Sequence, residues 1–404
     1  MVVLMPLRDR SDVARVIMGH AKSKKIFVSD LNTWVDFVDR EGELERILVG
    51  GAVGRGRVTV LYGPRGCGKT TLFRVLTESS VSAGLEGLRF VFIEHDEDRG
   101  AVNIVSDEKT LRVIERLYKE RLGASISVGL ELTSPVPIPV ISITMGRQDR
   151  NPHIGVASNI ISILESGGEA HNEYVVIIDE YRALDPRGFE IYLDRVASRV
   201  AGTNERLQLN GLDRLITLVI STSDAVATKA WDSVRWKVDW ALMWNLPREA
   251  AERLAEQLGI REDREILWRL TGGNPRALEA IRRGGLSRWL GEAVNAVRSA
   301  IEDAMEEARR LGKDRDWVME QIARIIGDPD EIFGEPIRQH LIAKNIVIDI
   351  RVASNKISEM PSKPLAGKEY AYQIPAYYYT LKAIAIEKSF DISSKHVLRE
   401  AMQS

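Results

Sequence analysis

Residues 63 to 70 read Gly63-Pro64-Arg65-Gly66-Cys67-Gly68-Lys69-Thr70, and this stretch decides the fold. The apolar run Val58–Tyr62, typical of a buried strand, precedes it, and a helical pattern that includes Thr71 follows it. This is the Walker A pattern in the strand, loop and helix context that it requires. The glycines let backbone N–H groups surround phosphate oxygens, Lys69 brings a positive charge to the β and γ phosphates, and Thr70 can bind Mg²⁺. The sequence therefore predicts that residues 63–71 bind ATP together with Mg²⁺.

A second apolar run ends in two carboxylates. Residues 174–180 read Tyr-Val-Val-Ile-Ile-Asp-Glu, which is typical of a strand covered on both faces. An active phosphate-loop site needs a carboxylate at a strand end for the Mg²⁺ shell, and Asp179 is predicted to supply it. Glu180 follows directly, where a carboxylate can orient the attacking water or accept its proton. Alone, this pair is equally typical of a helix start after a core strand; with the Walker A loop, it predicts ATP hydrolysis.

The composition is that of a soluble globular protein. The 404 residues are 44% apolar and 28% charged, so two or three domains are expected. A net charge of −2 predicts no overall affinity for nucleic acid. Cys67 is the only cysteine, which excludes an intramolecular disulfide and favours a cytoplasmic protein; a redox role is the less favoured interpretation, because the loop tolerates most residues there. No run of 18 apolar residues predicts a membrane span, and charges break the first 19 residues, so no signal peptide is expected.

Strand and helix patterns divide the chain into four regions. Residues 1–36 are predicted to be an N-terminal extension that packs on the next region. Residues 37–246 alternate apolar runs with helical stretches, which predicts an α/β domain with a parallel sheet. An additional β-hairpin, residues 125–145, is predicted inside it. The predicted strands of the sheet cover residues 58–62, 90–94, 175–178, 215–221 and 238–244.

The remaining residues change character. Residues 247–314 carry only helical patterns, with helices predicted at 248–258, 262–270, 275–283 and 292–311. In residues 315–404 a helix at 335–344 is followed by strands at 346–352 and 370–374, an order typical of a winged-helix domain. The predicted fold class is therefore α/β, with a P-loop NTPase sheet, a helical lid and a C-terminal winged helix.

With the two motifs placed, the chain resembles the archaeal ATPase family, a signal-transduction branch of the AAA+ fold related to the replication initiators. Residues 37–44, Phe-Val-Asp-Arg-Glu-Gly-Glu-Leu, resemble the family's opening motif. The resemblance implies that Phe37 and Val38 lie against adenine, although ordinary packing is an equal interpretation. Residues 271–278, Thr-Gly-Gly-Asn-Pro-Arg-Ala-Leu, resemble the family's lid motif, which implies that Pro275 packs on the nucleotide. The initiators usually carry a sensor 2 arginine where Pro275 stands, so no catalytic role is assigned to Arg276.

Two further positions follow from the resemblance. The strand that ends near Thr222 lies where the family places sensor 1, a polar group directed at the γ phosphate, and Ser221 and Ser223 remain alternatives to Thr222. Arg235 stands where AAA+ relatives present an arginine finger to a neighbouring subunit, and an exposed surface arginine is the competing interpretation. Together with Lys69 and Glu180, Thr222 and Arg235 complete the predicted catalytic set.

Two functions remain open at this point. In the first, the protein is a nucleotide-controlled switch, in which ATP closes the lid and hydrolysis releases a protein partner. In the second, it is an initiator-like or transposition-like ATPase that binds DNA through its winged helix. The candidate phosphate contacts for the second function are Arg338, Lys344, Arg351 and Lys356. A small-molecule kinase is less favoured, because the lid motif and the C-terminal domain have no role in it.

Overall fold

The computed structural model of the chain describes residues 10–96, 101–122, 126–131, 138–144, 152–169, 172–182, 185–331 and 336–403. We number its strands and helices in chain order. The strands are β1 (Lys25–Val28), β2 (Thr33–Asp36), β3 (Val58–Tyr62), β4 (Leu88–Asp96), β5 (Ala101–Val105), β6 (Ile126–Glu131), β7 (Ile138–Thr144), β8 (Glu173–Ile178), β9 (Leu215–Thr222), β10 (Val238–Leu242), β11 (Val347–Asp349), β12 (Asn355–Lys356) and β13 (Tyr370–Tyr372). The helices are α1 (Arg10–Ala21), α2 (Glu41–Leu48), α3 (Lys69–Ser82), α4 (Glu108–Leu122), α5 (Pro152–Gly167), α6 (Pro186–Leu209), α7 (Trp231–Val234), α8 (Arg248–Gln257), α9 (Arg264–Thr271), α10 (Pro275–Gly284), α11 (Leu286–Arg310), α12 (Arg315–Gly327), α13 (Ile337–Ala343), α14 (Pro375–Glu387) and α15 (Ser394–Gln403).

The described part of the chain contains a central sheet of nine strands, in the order β12-β10-β3-β9-β8-β4-β5-β7-β6. The strands from β12 to β4 are parallel, whereas β5, β7 and β6 run antiparallel to their neighbours. Side chains of β3 alternate between two apolar clusters, with Val58, Val60 and Tyr62 in one and Leu61 in the other. Helices cover both faces of the parallel strands, which explains their continuous apolar runs. The prediction of an α/β fold with a mainly parallel sheet is confirmed.

The five strands predicted for this sheet are present as β3, β4, β8, β9 and β10. The predicted hairpin is also present, because β6 and β7 pair antiparallel; its turn, residues 132–137, lies outside the described residues. The sequence did not predict β5, which lies between β4 and β7 and joins the hairpin to the sheet. Its five residues form an apolar run interrupted by Asn103, which breaks the continuous apolar pattern of the strands that were predicted.

The helices predicted for residues 247–314 are present as α8 to α11. The last of them begins at Leu286 instead of residue 292, because α10 ends at Gly284 and the chain re-enters a helix at once. At the other end of the chain, α1 packs on α2 and α3. The exact domain boundaries given above remain predictions.

The C-terminal residues combine helices with a small sheet. Strands β11 and β13 pair antiparallel, as a winged helix requires, and that assignment remains a prediction. The short strand β12 was not predicted: it leaves this region and pairs parallel with β10, at the edge of the central sheet. The strand predicted at residues 370–374 is shorter, because β13 ends at Tyr372 and Ile374 is already the N-cap of α14. No helix among the described residues is both long enough and apolar enough to cross a membrane.

Candidate functional site

The phosphate loop, residues 63–70, connects β3 to α3, and close packing at two glycines shapes it. A Cβ added to Gly63 would lie 1.9 Å from the backbone oxygen of Met243, directly after β10. Gly66 has a φ of +77°, and a Cβ there would lie 2.3 Å from Cβ of Arg276. Both positions therefore require glycine. The loop is enclosed between the sheet and the first residues of α10.

Three successive carbonyl groups of the loop are hydrogen-bonded from outside. The oxygens of residues 65, 66 and 67 accept from Asn274 Nδ2 at 3.0 Å, Arg276 N–H at 3.3 Å and Arg40 Nη2 at 2.5 Å, respectively. In a trans peptide the N–H of the next residue points opposite to the carbonyl. The hydrogen bonds to the carbonyls of residues 65 and 67 therefore direct the N–H groups of residues 66 and 68 to the opposite side of the loop. Convergent N–H groups of this kind bind anions.

Lys69 is the first residue of α3, and its side chain is buried. Its Nζ donates to the backbone oxygens of Gly63 at 3.1 Å and Pro64 at 3.2 Å. The positive charge is therefore held beside the loop at a helix N-terminus, where the helix dipole also favours anions. Cys67 is fully buried, with Sγ 3.7 Å from Lys69 Nζ, and a buried thiol of this kind favours the packing interpretation over a redox role.

Asp179 follows β8, and its buried carboxyl group has a raised pKa. The pKa rises from an ordinary value of 3.8 to about 6, mainly because of burial; the nearby charges of Glu180 and Glu94 also raise it, whereas a hydrogen bond from Thr70 and the charge of Lys69 lower it. The Oδ1 atom is buried and has no hydrogen-bond partner within the described residues. A buried, unpaired carboxylate oxygen beside a threonine hydroxyl fits the predicted Mg²⁺ site, since Mg²⁺ prefers oxygen ligands.

We expect Asp179→Asn to stabilise the protein in EDTA and without added nucleotide. The folded state holds the Asp179 proton more tightly than the unfolded state, so stability is lost as the pH rises from about 4 to 6. A pKa shift of about two units corresponds to a loss of about 3 kcal/mol in the free energy of unfolding above pH 6, and the uncharged asparagine avoids this loss. Urea unfolding at pH 4 and pH 8 measures this, and the variant should differ from wild type only at pH 8. Asp213→Asn, at an exposed turn, is the control; an equal change at both pH values would contradict the prediction.

Glu180 is exposed and adopts left-handed backbone geometry, with a φ of +49°. Ser223 Oγ donates to its Oε2 at 3.0 Å. The hydroxyl of Thr222, the residue predicted as sensor 1, instead donates to the Tyr181 oxygen at 2.8 Å and accepts from Asp224 N–H at 3.2 Å. Ser223, which the sequence left as an alternative, is therefore the residue of this loop that contacts the predicted water-orienting carboxylate.

Arg40 is a site residue that sequence reasoning missed. It is 3% exposed, and its guanidinium donates to the Cys67 oxygen, to the Trp244 oxygen at 3.1 Å and to Glu43 Oε1 at 2.6 Å. It therefore joins the phosphate loop to the end of the sheet. The sequence pattern that could have predicted its role is the pair of opposite charges, Arg40 and Glu43, three residues apart within the segment that resembles the opening motif.

The hydrogen bonds from the lid motif to the phosphate loop come from Asn274 and from the Arg276 N–H, and Pro275 takes part in neither. Asn274 caps α10 by accepting from Ala277 N–H at 3.0 Å, and its Nδ2 donates to the Arg65 oxygen and, at 2.8 Å, to Asn245 Oδ1. Pro275 occupies the first turn of α10, which a fixed φ favours, and it is half-buried. Its predicted contact with nucleotide remains a prediction.

A cavity of about 780 Å³ lies between the end of the sheet at residues 244–247, helices α2 and α9, and the C-terminal region. Asp39, Trp244, Pro247 and Trp268 are among its lining residues, and aromatic walls of this kind suit a planar base. Phe37 and Val38, predicted to contact adenine, directly precede Asp39, are half-buried and pack against the two apolar clusters. Their role at the base remains a prediction.

Arg235 lies apart from these contacts, on the surface after α7. Its guanidinium is 5.4 Å from the ring centre of Trp231 and 4.7 Å from that of Trp236, which is 77% exposed. Of the predicted site residues, the phosphate loop, Asp179 and Glu180 thus meet at the carboxyl ends of the parallel strands, whereas Arg235 stacks on the half-buried Trp231 and the exposed Trp236.

Comparisons with known proteins identify the family of the chain. The family model described as an ATPase domain predominantly from Archaea matches residues 37–281. A search of curated proteins found no match. Two solved structures of the Aeropyrum pernix ORC2 protein are similar: the ADPNP-ADP complexes have a TM-score of 0.36 and 13% identity, over 90% of this chain and 95% of that one. The ADP form has a TM-score of 0.32 and 14% identity, over 90% and 92%. Because the family model matches more than half of the chain, the protein belongs to this family of ATPase domains found predominantly in Archaea.

Proposed function

We propose that the protein is an ATP-binding and ATP-hydrolysing molecular switch, in which the nucleotide controls the position of the lid and thereby the binding of a protein partner. The observation that carries this proposal is the hydrogen bond from Asn274 Nδ2 to the Arg65 oxygen. It links the N-cap residue of the lid helix α10 directly to the phosphate loop. A change in the loop is therefore transmitted to the lid without an intervening element.

Each side chain of the site has a proposed role. The N–H groups of the phosphate loop and the Lys69 ammonium bind and orient the phosphates. Glu180 orients the attacking water and accepts its proton, and Ser223 fixes the direction of the Glu180 carboxylate. Thr70 and Asp179 would hold Mg²⁺, which neutralises charge on the phosphate oxygens. Among the described residues no group of three His, Cys, Asp or Glu could hold a metal alone, which suits an ion that also binds phosphate.

Hydrogen exchange combined with phosphate release tests the switch. Mg²⁺ and ATP should give steady phosphate release, and a slowly hydrolysed ATP analogue should slow amide exchange in α10 more than ADP does, because only the triphosphate holds the lid closed. The C-terminal half of α6 serves as an internal control. If phosphate is released but amide exchange in α10 is the same with the two nucleotides, the protein is an ATPase and the proposed lid switch is rejected.

The alternative, a DNA-binding ATPase acting through the winged helix, has less support from the contacts of its candidate residues. Lys344 Nζ lies 3.1 Å from Asp303, and Arg351 pairs with Asp349 at 2.6 Å and Glu369 at 3.2 Å. Cations already paired with carboxylates gain less from a phosphate backbone. A salt titration of duplex DNA binding decides the point, because phosphate contacts would give a steep dependence on salt concentration.

The proposed arginine finger needs a second copy of the chain. Arg235 is exposed, as such a residue must be, and fingers contribute about 10³- to 10⁵-fold in rate where they operate. The hypothesis requires ATPase activity per chain to rise with protein concentration. Constant activity per chain would instead favour a switch that acts as a monomer or with a different partner.

A further inference from the structure

The C-terminal region reaches the phosphate loop by two separate chains of hydrogen bonds. One passes through Gln373, between β13 and α14, and the other through Ser358, just after β12. Both side chains are buried, at 3% and 7% exposure. Neither residue belongs to the ATPase motifs or to the segment that the family model matches, which ends at residue 281.

The first chain is direct. Arg65 N–H donates to Gln373 Oε1 at 2.9 Å, while the Arg65 oxygen accepts from Asn274 of the lid. The Gln373 backbone oxygen also accepts from Asn245 Nδ2 at 2.9 Å, and Asn245 Oδ1 accepts from Asn274. The backbone of Arg65 is therefore hydrogen-bonded on one side to the C-terminal region and on the other to the lid. The amide side chain of Asn245 connects Gln373 to Asn274.

The second chain passes through the buried ion pair. Ser358 Oγ donates to Glu43 Oε1 at 2.8 Å, and the same oxygen accepts from Arg40 Nη1. Arg40 in turn donates to the Cys67 oxygen, and that bond directs the N–H of the next residue, Gly68, to the opposite side of the loop. The direction of the Gly68 N–H, which is expected to bind phosphate, thus depends on Arg40. Ser358 in turn positions Glu43, the carboxylate partner of Arg40.

The segment that carries Ser358, residues 354–361, which we call the strap, is attached to the ATPase sheet by backbone hydrogen bonds and by the side chain of Ile357, which is buried in the second apolar cluster. Strand β12 pairs with β10, and Ile357 N–H donates to the Leu242 oxygen at 2.9 Å. Arg46 Nη1 donates to the Ile357 oxygen at 2.5 Å, and Ser354 Oγ donates to the Trp240 oxygen at 2.8 Å. Because β12 is the edge strand and pairs only with β10, the strap and its one buried apolar side chain can separate while the other strands of the sheet stay paired.

We propose that Ser358 and Gln373 are positioning residues for the phosphate loop, and that docking of the strap raises the affinity for nucleotide. The loop groups that Ser358 and Gln373 hold, directly or through Arg40, face away from the phosphate-binding side, so these two residues do not compete with phosphate. They restrict the conformations of the free loop, so the loop loses less conformational entropy when nucleotide binds. This inference rests on the proposed nucleotide binding. Because coupling is reciprocal, bound nucleotide also stabilises the docked strap.

Substitutions in the full chain test the proposal. Gln373→Leu and Ser358→Ala should each weaken binding of a fluorescent ATP analogue with Mg²⁺ by about five- to tenfold, the effect of one buried hydrogen bond. Ser358→Thr, which keeps the hydroxyl, should restore the affinity. Amide exchange of residues 63–70 without added nucleotide should be faster in both weakened variants, and nucleotide should slow exchange of the strap in wild type.

Matched controls separate positioning from general destabilisation. Gln339→Leu on α13 and Ser362→Ala beyond the strap make the same chemical changes at exposed positions, and both should bind like wild type. Unchanged affinity in Gln373→Leu and Ser358→Ala, or unchanged exchange of residues 63–70, would overturn the proposal. If wild type binds no nucleotide, the proposed function fails, and exchange of residues 63–70 in the variants still decides whether the C-terminal region positions the loop.

Discussion

Glu180→Gln should retain ATP binding and lose about 10²- to 10⁴-fold in turnover, the contribution of a positioned general base. Glutamine keeps an oxygen for the hydrogen bond from Ser223 but cannot accept a proton from water. The phosphate loop and Lys69 lie on other elements, so nucleotide affinity should stay within a factor of about three. Phosphate release at saturating Mg²⁺ and ATP measures the loss, and titration with a fluorescent ATP analogue measures the affinity.

The control for Glu180→Gln is Glu86→Gln, the same substitution at an exposed turn, which should leave both quantities unchanged. Equal turnover in wild type and Glu180→Gln would reject Glu180 as the residue that orients water. Exposed Glu180 is not part of the apolar core, so the thermal midpoint of the variant should match wild type, and a low turnover cannot then be attributed to unfolding.

Lys69→Ala should weaken the affinity for ATP by about a hundredfold or more. The ammonium would donate charge-assisted hydrogen bonds to the β and γ phosphates, and each such bond contributes about 1.5 to 3 kcal/mol. The substitution also frees the oxygens of Gly63 and Pro64, which loosens the loop. Equilibrium titration with the same fluorescent ATP analogue gives the dissociation constant.

A lysine elsewhere provides the comparison for Lys69→Ala. Lys229→Ala removes an exposed ammonium that lies in the turn after β9, and it should bind ATP like wild type. Circular dichroism must show that the Lys69 variant keeps its helix content. A folded Lys69→Ala protein with wild-type affinity would contradict the assignment of residues 63–70 as the phosphate loop.

Local patterns in the sequence were sufficient to determine the α/β class and to predict the centre of the site. The Walker A residues must be contiguous, because one loop surrounds the phosphates, and a strand buried on both faces is apolar throughout. Both signals therefore appear within a few residues of sequence. The same holds for Asp179 and Glu180, which follow a strand directly, and for the helices of the lid region.

Contacts between distant segments were decided only by the tertiary structure. Gln373 and Arg65 are 308 residues apart, and Ser358 and Glu43 are 315 apart, so no periodicity or spacing connects them. The choice of Ser223 over Thr222 beside Glu180 also depended on how two loops meet at the sheet edge. The sequence by itself determined the fold class and predicted the residues that meet phosphate, because these depend on local backbone and pattern. The structure decided which buried polar groups hold that loop, because a hydrogen bond between distant segments exists only after the chain has folded.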